Sequence, residues 1–272
     1  MTLRRDFTHL VLTRFNTAVA YAPKAKGLDT DWLTARLALF ERYCLPSVAA
    51  QQGADFRWLI FFDAASPAWF KTKISSFEPL VTPIYVEGEA SDEVLRRYVV
   101  QTGLVTSPHL LTTRLDNDDA IAKDHLGRVQ RAFCGQEREF IRFPCGLQSL
   151  RGHLYEVYWP ANPFLSLVEK VESGNRFTTV MCVRHDRVAG SGPIRQILRS
   201  PQWLQTLHES NVGNVLRGWP RIRSRSHPNF IVHWPDAVSE EQIATRFKLS
   251  AKGYGAWAKR LAGKVGTRLL GE

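Results

Sequence analysis

Residues 56–67, FRWLIFFDAASP, make a near-continuous apolar run of strand length, closed by turn-forming residues. A strand that is apolar on both faces must be covered on both, the situation of a sheet sandwiched between helices. Its neighbours in sequence agree. HLVLTRFN (9–16) predicts a first strand and TPIYVEG (82–88) a third, shorter one. DTDWLTARLALFERYCLPSV (29–48) predicts a helix with Asp29 or Thr30 as cap, Leu33, Leu37 and Phe40 at helical spacing, and Pro46 as its stop. SDEVLRRYVVQTGL (91–104) predicts another, capped by Ser91, acidic in its first turn, with Val94, Leu95, Tyr98 and Val99 inward. A strand ending near 115 and a helix over AKDHLGRVQRAF (122–133) continue the alternation. Strand and helix in turn across 9–133 predict an α/β fold with a mainly parallel sheet flanked by helices.

The second half changes character. REFIRFPCGLQ, HLYEVYW and FTTVMCVRHD read as strands between turns, expected to extend the sheet with antiparallel members and cover one edge. With 272 residues and 44% hydrophobic content the chain can bury a full core, as one large domain or two small ones. The expected division is a main domain over residues 1–236 and a basic helical C-terminal extension over 237–272. Ser239 and Gln242 form a capping box there, with Val238 and Ile243 at the staple positions. Trp257, Leu261, Leu269 and Leu270 interleave with Lys259, Arg260, Lys264 and Arg268. That pattern suits either peripheral contact with an anionic membrane or a helix docked on the domain.

Net charge is +10, and from Arg217 to Arg268 eleven Lys/Arg face three acids. Such a surface favours an anionic partner or is simply solvated. No apolar run has membrane-spanning length, and the apolar part of MTLRRDFTHLVLTRF is too short for a secretory core. Cys44, Cys134, Cys145 and Cys182 have no CxxC spacing and read as buried thiols of a cytoplasmic protein, one that can still sit peripherally at the inner face of the plasma membrane.

Against that charge stands HLLTTRLDNDDAI (109–121). Leu111, Thr113 and Leu115 share one side of a strand, and Asp116, Asp118 and Asp119 follow within four residues. Such a cluster is costly unless a cation or several donors answer it. Mg²⁺ or Mn²⁺ would suit it, because these ions prefer carboxylate and phosphate oxygens. The strand's carboxyl end is also where open α/β sheets bind ligands. The alternative is a turn in which Asp118 or Asp119 caps a helix starting near Ala120. On the first reading Asp118→Asn relieves repulsion and leaves the fold intact.

TTRLDNDDAI (112–121) resembles the DxD region of nucleotide-sugar glycosyltransferases of the GT-A fold. More closely, the chain resembles a bacterial family labelled rhamnosyltransferases. The blocks that carry this are LTRFN (12–16), WLTARLALFERYCLPSVAAQ (32–51), FRWLIFFD (56–63), TTRLDNDDAI and WLQTLHESN (203–211). The resemblance implies a GT-A-like, Rossmann-related domain that binds a nucleoside-diphosphate sugar. It implies that Thr13, Arg14 and Phe15 hold base and ribose, and that Asp63 contacts the base, the alternative being an ordinary turn aspartate before AASP. Asp116 and Asp118 would grip ribose and a Mn²⁺ or Mg²⁺ ion, Asp119 would hold metal or position the sugar, and Arg114 would pair with a carboxylate or the diphosphate, or merely offset the local charge. In HESN, Glu209 is the candidate general base, His208 a further metal ligand and Asn211 a substrate contact. Asp186 and Glu156 are the alternative bases, and His185 reads as a surface histidine. Arg217, Arg221, Arg223 and Arg225 are either a basic lid or a solvated loop. Trp159, Trp203 and Trp219 either stack on sugar or pack in the core.

The activity so implied is metal-dependent, inverting transfer of a sugar, rhamnose by the family label, to a cell-envelope polysaccharide or lipid-linked acceptor. Nucleotidyl or phosphoryl transfer is the second reading, weakened by the absence of a GxxxxGK[ST] loop. Nucleic-acid binding through the basic region is a third, and no helix-turn-helix, RNA-recognition or zinc-finger signature supports it.

Overall fold

A computed structural model describes residues 6–18, 27–208, 215–218 and 226–234. Strand β1 (Phe7–Arg14) lies near the middle of a seven-stranded sheet, with β2 (Arg57–Asp63) and β3 (Val81–Val86) on one side and β4 (His109–Arg114) on the other. All four run parallel, with Leu12 opposite Leu59 on one side and Arg114 on the other. Beyond β4 the order continues through β9 (Leu165–Lys170), β6 (Arg138–Arg142) and β10 (Ile194–Gln196). Only β9 is antiparallel to its neighbours. The expected mainly parallel sheet is present, and the carboxyl ends of β1 to β4 share one edge. In open α/β sheets, that edge forms the ligand crevice.

Alternation along the strands divides the core in two. Val11, Trp58, Ile60, Phe62 and Leu111 face helix α1 (Thr30–Leu39) and helix α3 (Ala68–Ser75). Leu10, Leu12, Leu59, Phe61 and Leu110 face helix α4 (Asp92–Gln101), whose Leu95 and Val99 are buried. Burying both faces of β2 is what its apolar run required. Helix α3 was not foreseen. The caps were legible: Asp29 accepts from the Trp32 N–H at 2.8 Å, and Ser91 from the Val94 N–H.

Pro46 does not stop the first helix. After α1 the chain widens into a π turn over Phe40–Cys44 and continues as α2 (Leu45–Ala49), with Pro46 in its first turn. The Leu45 N–H reaches back to the Phe40 carbonyl, so a new N-terminus forms where proline's missing donor is tolerated.

The second half does more than lengthen the sheet. A separate four-stranded sheet runs β5 (Ala120–Ile121), β11 (Trp203–Leu207), β7 (Cys145–Leu150), β8 (His153–Tyr158). Trp203 lies flat against Gly146, where a Cβ would come within 2.1 Å of the indole, so only glycine lets the ring seat there. The ring stacks on Phe164 at 4.9 Å and is fully buried; Trp203 is core.

FTTVMCVRHD is not a strand. It contains a short 3-10 turn at Val180–Cys182, and a second follows at Val188–Gly190. Side chains take the donors that a sheet partner would have taken: Glu169 accepts from the Thr178 and Thr179 N–H groups, and Thr112 from the Val180 N–H. The cysteines also differ from expectation. All four are free, but only Cys44 is buried and Cys134 is exposed. Among the described residues no helix is long and apolar enough to cross a membrane. The 236/237 boundary and the C-terminal extension lie outside the described residues.

Candidate functional site

The aspartates lie on the segment that leaves β4 and enters β5, so they bridge the two sheets. The Leu115 N–H still bonds the Leu12 carbonyl, carrying the parallel register one residue past β4. Asn117, buried between the aspartates, donates to the Phe15 carbonyl at 2.9 Å and ties the loop to the end of β1. From the other sheet, Thr206 on β11 donates its hydroxyl to the Asp118 carbonyl and its N–H to the Asp119 carboxylate, at 2.6 and 2.8 Å. Neither Asp118 nor Asp119 caps a helix. The next helix, α5 (His125–Arg131), begins after Asp124.

Each carboxylate has its own answer to the repulsion. Both oxygens of Asp116 receive the Arg114 guanidinium at 3.1–3.2 Å. Asp118 Oδ2 accepts from Arg36 at 2.6 Å and is hydrogen-bonded to His208 at 2.9 Å. Burial alone would raise the Asp118 pKa, but His208 and Arg36 hold it below the ordinary carboxylate value. Among the described residues Asp119 forms no ion pair, and it feels Arg36 only more weakly than its acidic neighbours. Burial, then the charges of Asp118 and Asp116, push its carboxyl well above the ordinary value. Arg36, Asn117 and Thr206 were not singled out in the sequence, because the contacts that matter are made across 80 or more residues.

At the end of β2, Asp63 is 2% exposed, and its Oδ1 accepts the Ala65 N–H at 2.8 Å. Among the described residues its buried Oδ2 has no hydrogen-bond partner. An unmatched buried acceptor is costly, and a ligand N–H would satisfy it. Asn16 braces this corner by accepting the Asp63 N–H and donating to Ser66.

Thr13 is fully buried and accepts from the Trp58 indole, and Phe15 packs among Phe40, Phe62 and Phe70. Arg14 is half-buried at the end of β1, and its charge is felt at Asp92 together with that of Arg114. Glu156 is exposed on β8, and Asp186 is exposed and paired with Arg184 at 3.0 Å. His185 is half-buried rather than a simple surface histidine. Its Nδ1 bonds the Ala161 carbonyl at 2.8 Å, and burial lowers its pKa. Arg217 lies 4.5 Å over the Trp159 ring and so covers one face of it. Glu209, Asn211, Trp219, Arg221, Arg223 and Arg225 lie outside the described residues. Among the described residues no three His, Cys, Asp or Glu side chains are arranged to hold a metal ion. A cavity of about 500 Å³ beside Glu137, Arg138 and Glu169 lies toward the opposite end of the sheet from the aspartates.

Comparison with known families decides the relationship. The model of the putative rhamnosyl transferase family matches residues 7–218, which include both sheets and the whole aspartate loop. The chain belongs to that family. No curated protein matches it. Among solved structures, S. aureus TarS 1–349 in complex with UDP is similar at 10% identity and a TM-score of 0.45, over 74% of this chain and 60% of that one. TarS 1–349 in complex with UDP-GlcNAc is similar at 10% identity and 0.45, over 75% and 59%. A putative nucleotide-diphospho-sugar transferase from Desulfovibrio desulfuricans G20 gives 8% identity and 0.39, over 74% and 81%. This family member spans about three fifths of the TarS 1–349 chains.

Proposed function

We propose that the chain is a metal-dependent glycosyltransferase. It would take a sugar, rhamnose by its family's label, from a nucleoside-diphosphate sugar and pass it with inversion to a cell-envelope saccharide or lipid-linked acceptor. The observation that carries this reading is the pairing, along one edge of the sheet, of the aspartate loop with the unpartnered Asp63 oxygen. Asp63 Oδ2 suits a base N–H. Arg14 and Arg114 are cations at the ends of the adjoining strands. For Thr13 and Phe15, the hydroxyl and the ring already committed to the core leave them a supporting part, holding the end of β1 in place.

The donor set fits Mn²⁺ or Mg²⁺ in kind. Asp116 and Asp118 offer carboxylate oxygens, and His208 a nitrogen beside Asp118. Such ions are commonly held by one or two carboxylates plus substrate phosphates, so a cage of three protein groups is not required. A bound ion would neutralise charge on the departing diphosphate. Asp119, steered by the Thr206 N–H, would position the sugar. Glu209 is the proposed base for the acceptor hydroxyl, whose proton must leave as the new bond forms.

The test is a thermal-shift panel of nucleoside diphosphates and nucleotide sugars, with Mn²⁺ or with EDTA. A ligand at about 100 times its Kd stabilises the fold by ~2.7 kcal/mol, roughly 5–10 °C for a chain of this size. One nucleotide should give such a shift with Mn²⁺ and lose most of it in EDTA. No shift with any member of the panel would defeat the reading.

A further inference from the structure

Arg36 lies on α1, far in sequence from the aspartate loop, yet it donates to Asp118 Oδ2 at 2.6 Å, with Asn117 Oδ1 at 3.4 Å. Its side chain is only 12% exposed, and the guanidinium lies 5.2 Å from the ring centroid of Trp32, one helical turn earlier. A planar cation held over an aromatic face is placed before any ligand arrives. Both of these hydrogen bonds use Nη1 alone. Among the described residues, Nε and Nη2 make none. A guanidinium has five N–H donors, so several remain for a ligand with many acceptor oxygens. Asp118 is thus answered by a cation of the chain itself, on the same oxygen that His208 touches.

We infer that Arg36 is the counter-ion that Asp118 gives up when a divalent cation enters the site, and that its guanidinium then serves the donor's diphosphate. The inference rests on the nucleotide-sugar reading above. The physical reason is competition for one carboxylate. With no ligand bound, the loop needs a cation, and Arg36 supplies it at no cost in recruitment. A metal bound to Asp118 takes over that attraction and repels the guanidinium, while the diphosphate brought with the metal offers new acceptors a short distance away. Arg36 is therefore a positioning residue with opposite effects on two ligands. It weakens the binding of metal alone and strengthens the binding of nucleotide with metal.

The experiment uses the full chain with three substitutions. Arg36→Met keeps an unbranched apolar stem and removes the charge; Arg36→Gln is a second neutral variant; Arg36→Lys keeps the charge. Urea unfolding without metal identifies the variants that fold. Two constants are then read: Mn²⁺ alone, and UDP, GDP and TDP at saturating Mn²⁺. A charge-assisted hydrogen bond is worth about 1.5–3 kcal/mol, so a neutral variant should bind Mn²⁺ roughly tenfold or more tighter. It should bind the preferred nucleotide roughly tenfold more weakly, with Arg36→Lys near wild type in both. A merely structural role would move both constants the same way or neither, and either result overturns the inference. Mn²⁺-dependent nucleotide binding by wild type, with Mn²⁺ affinity unimproved in the neutral variants, overturns the exchange and leaves the nucleotide-sugar reading standing. Absence of Mn²⁺ binding in every form overturns the exchange together with the metal part of that reading.

Discussion

At Asp118 one carboxylate oxygen meets Arg36 and His208, while at Asp119 the charges of other carboxylates outweigh that of Arg36. Two adjacent residues of one type therefore respond oppositely to the same substitution. Asp118→Asn leaves the largely buried Arg36 cation without its anion and should destabilise the ligand-free protein by about 1–3 kcal/mol. The relief of repulsion expected from the sequence for Asp118→Asn belongs instead to Asp119→Asn, which should gain stability. There the amide oxygen can still accept the Thr206 N–H, and no buried charge is left to repel Asp116 and Asp118. Urea denaturation at pH 7 without metal should show the two variants moving in opposite directions. The pH dependence follows with its sign. Asp119's folded pKa is raised, so its contribution is full below the unfolded value and lost as pH rises through the folded one. Asp118's is lowered, so its contribution is present above the unfolded value and lost as pH falls through the folded one. Asp119→Asn should accordingly remove a decline in stability on the alkaline side of the carboxylate range. The aspartates were legible because they are contiguous. Their partners were not, because Arg36 and Thr206 reach them through tertiary structure alone.

Elements were legible where their signal is local. The caps at Asp29 and Ser91 and the two-faced burial of β2 were each visible in a dozen residues or fewer. Pro46 misled because a π turn re-starts the helix just before it, and no local pattern announces that turn. The strand expected over FTTVMCVRHD failed for a different reason. Its β-branched and apolar residues suit a strand, but the buried carboxylate of Glu169 captures donors of the segment, and that competitor stands on another strand. The second sheet depends on pairings such as Leu204 with Leu147, which no periodicity reports. Gly146 is where this hidden geometry can be tested. A methyl group there has no room against Trp203, so Gly146→Ala should cost ~2–3 kcal/mol, the scale of overpacking a core. Chemical denaturation measures it. A change under about 0.5 kcal/mol, the range of ordinary surface substitutions, would mean that Trp203 is free to shift.

For the whole molecule, charge is as informative as shape. The chain carries +10 overall, most of it beyond the second sheet, while the site is built around three acids, two of them paired with cations of the chain itself. If the basic extension serves an anionic membrane, removing residues 237–272 should release the protein from phosphatidylglycerol vesicles while nucleotide affinity stays within about twofold. A juxtamembrane Lys or Arg contributes ~1 kcal/mol, so the release should be nearly complete at physiological salt. Vesicle binding that survives the truncation would return those residues to the domain surface. The central claim is that a nucleoside diphosphate and a divalent cation meet at Asp118, and titration calorimetry tests it most directly. The nucleotide preferred in the thermal panel is titrated into wild type and Asp118→Asn, each with Mn²⁺ and with EDTA. The account predicts that EDTA weakens wild-type binding by about tenfold or more, a loss of ~1.4 kcal/mol or more, and that Asp118→Asn binds weakly in both buffers. Equal affinity in all four titrations would contradict it.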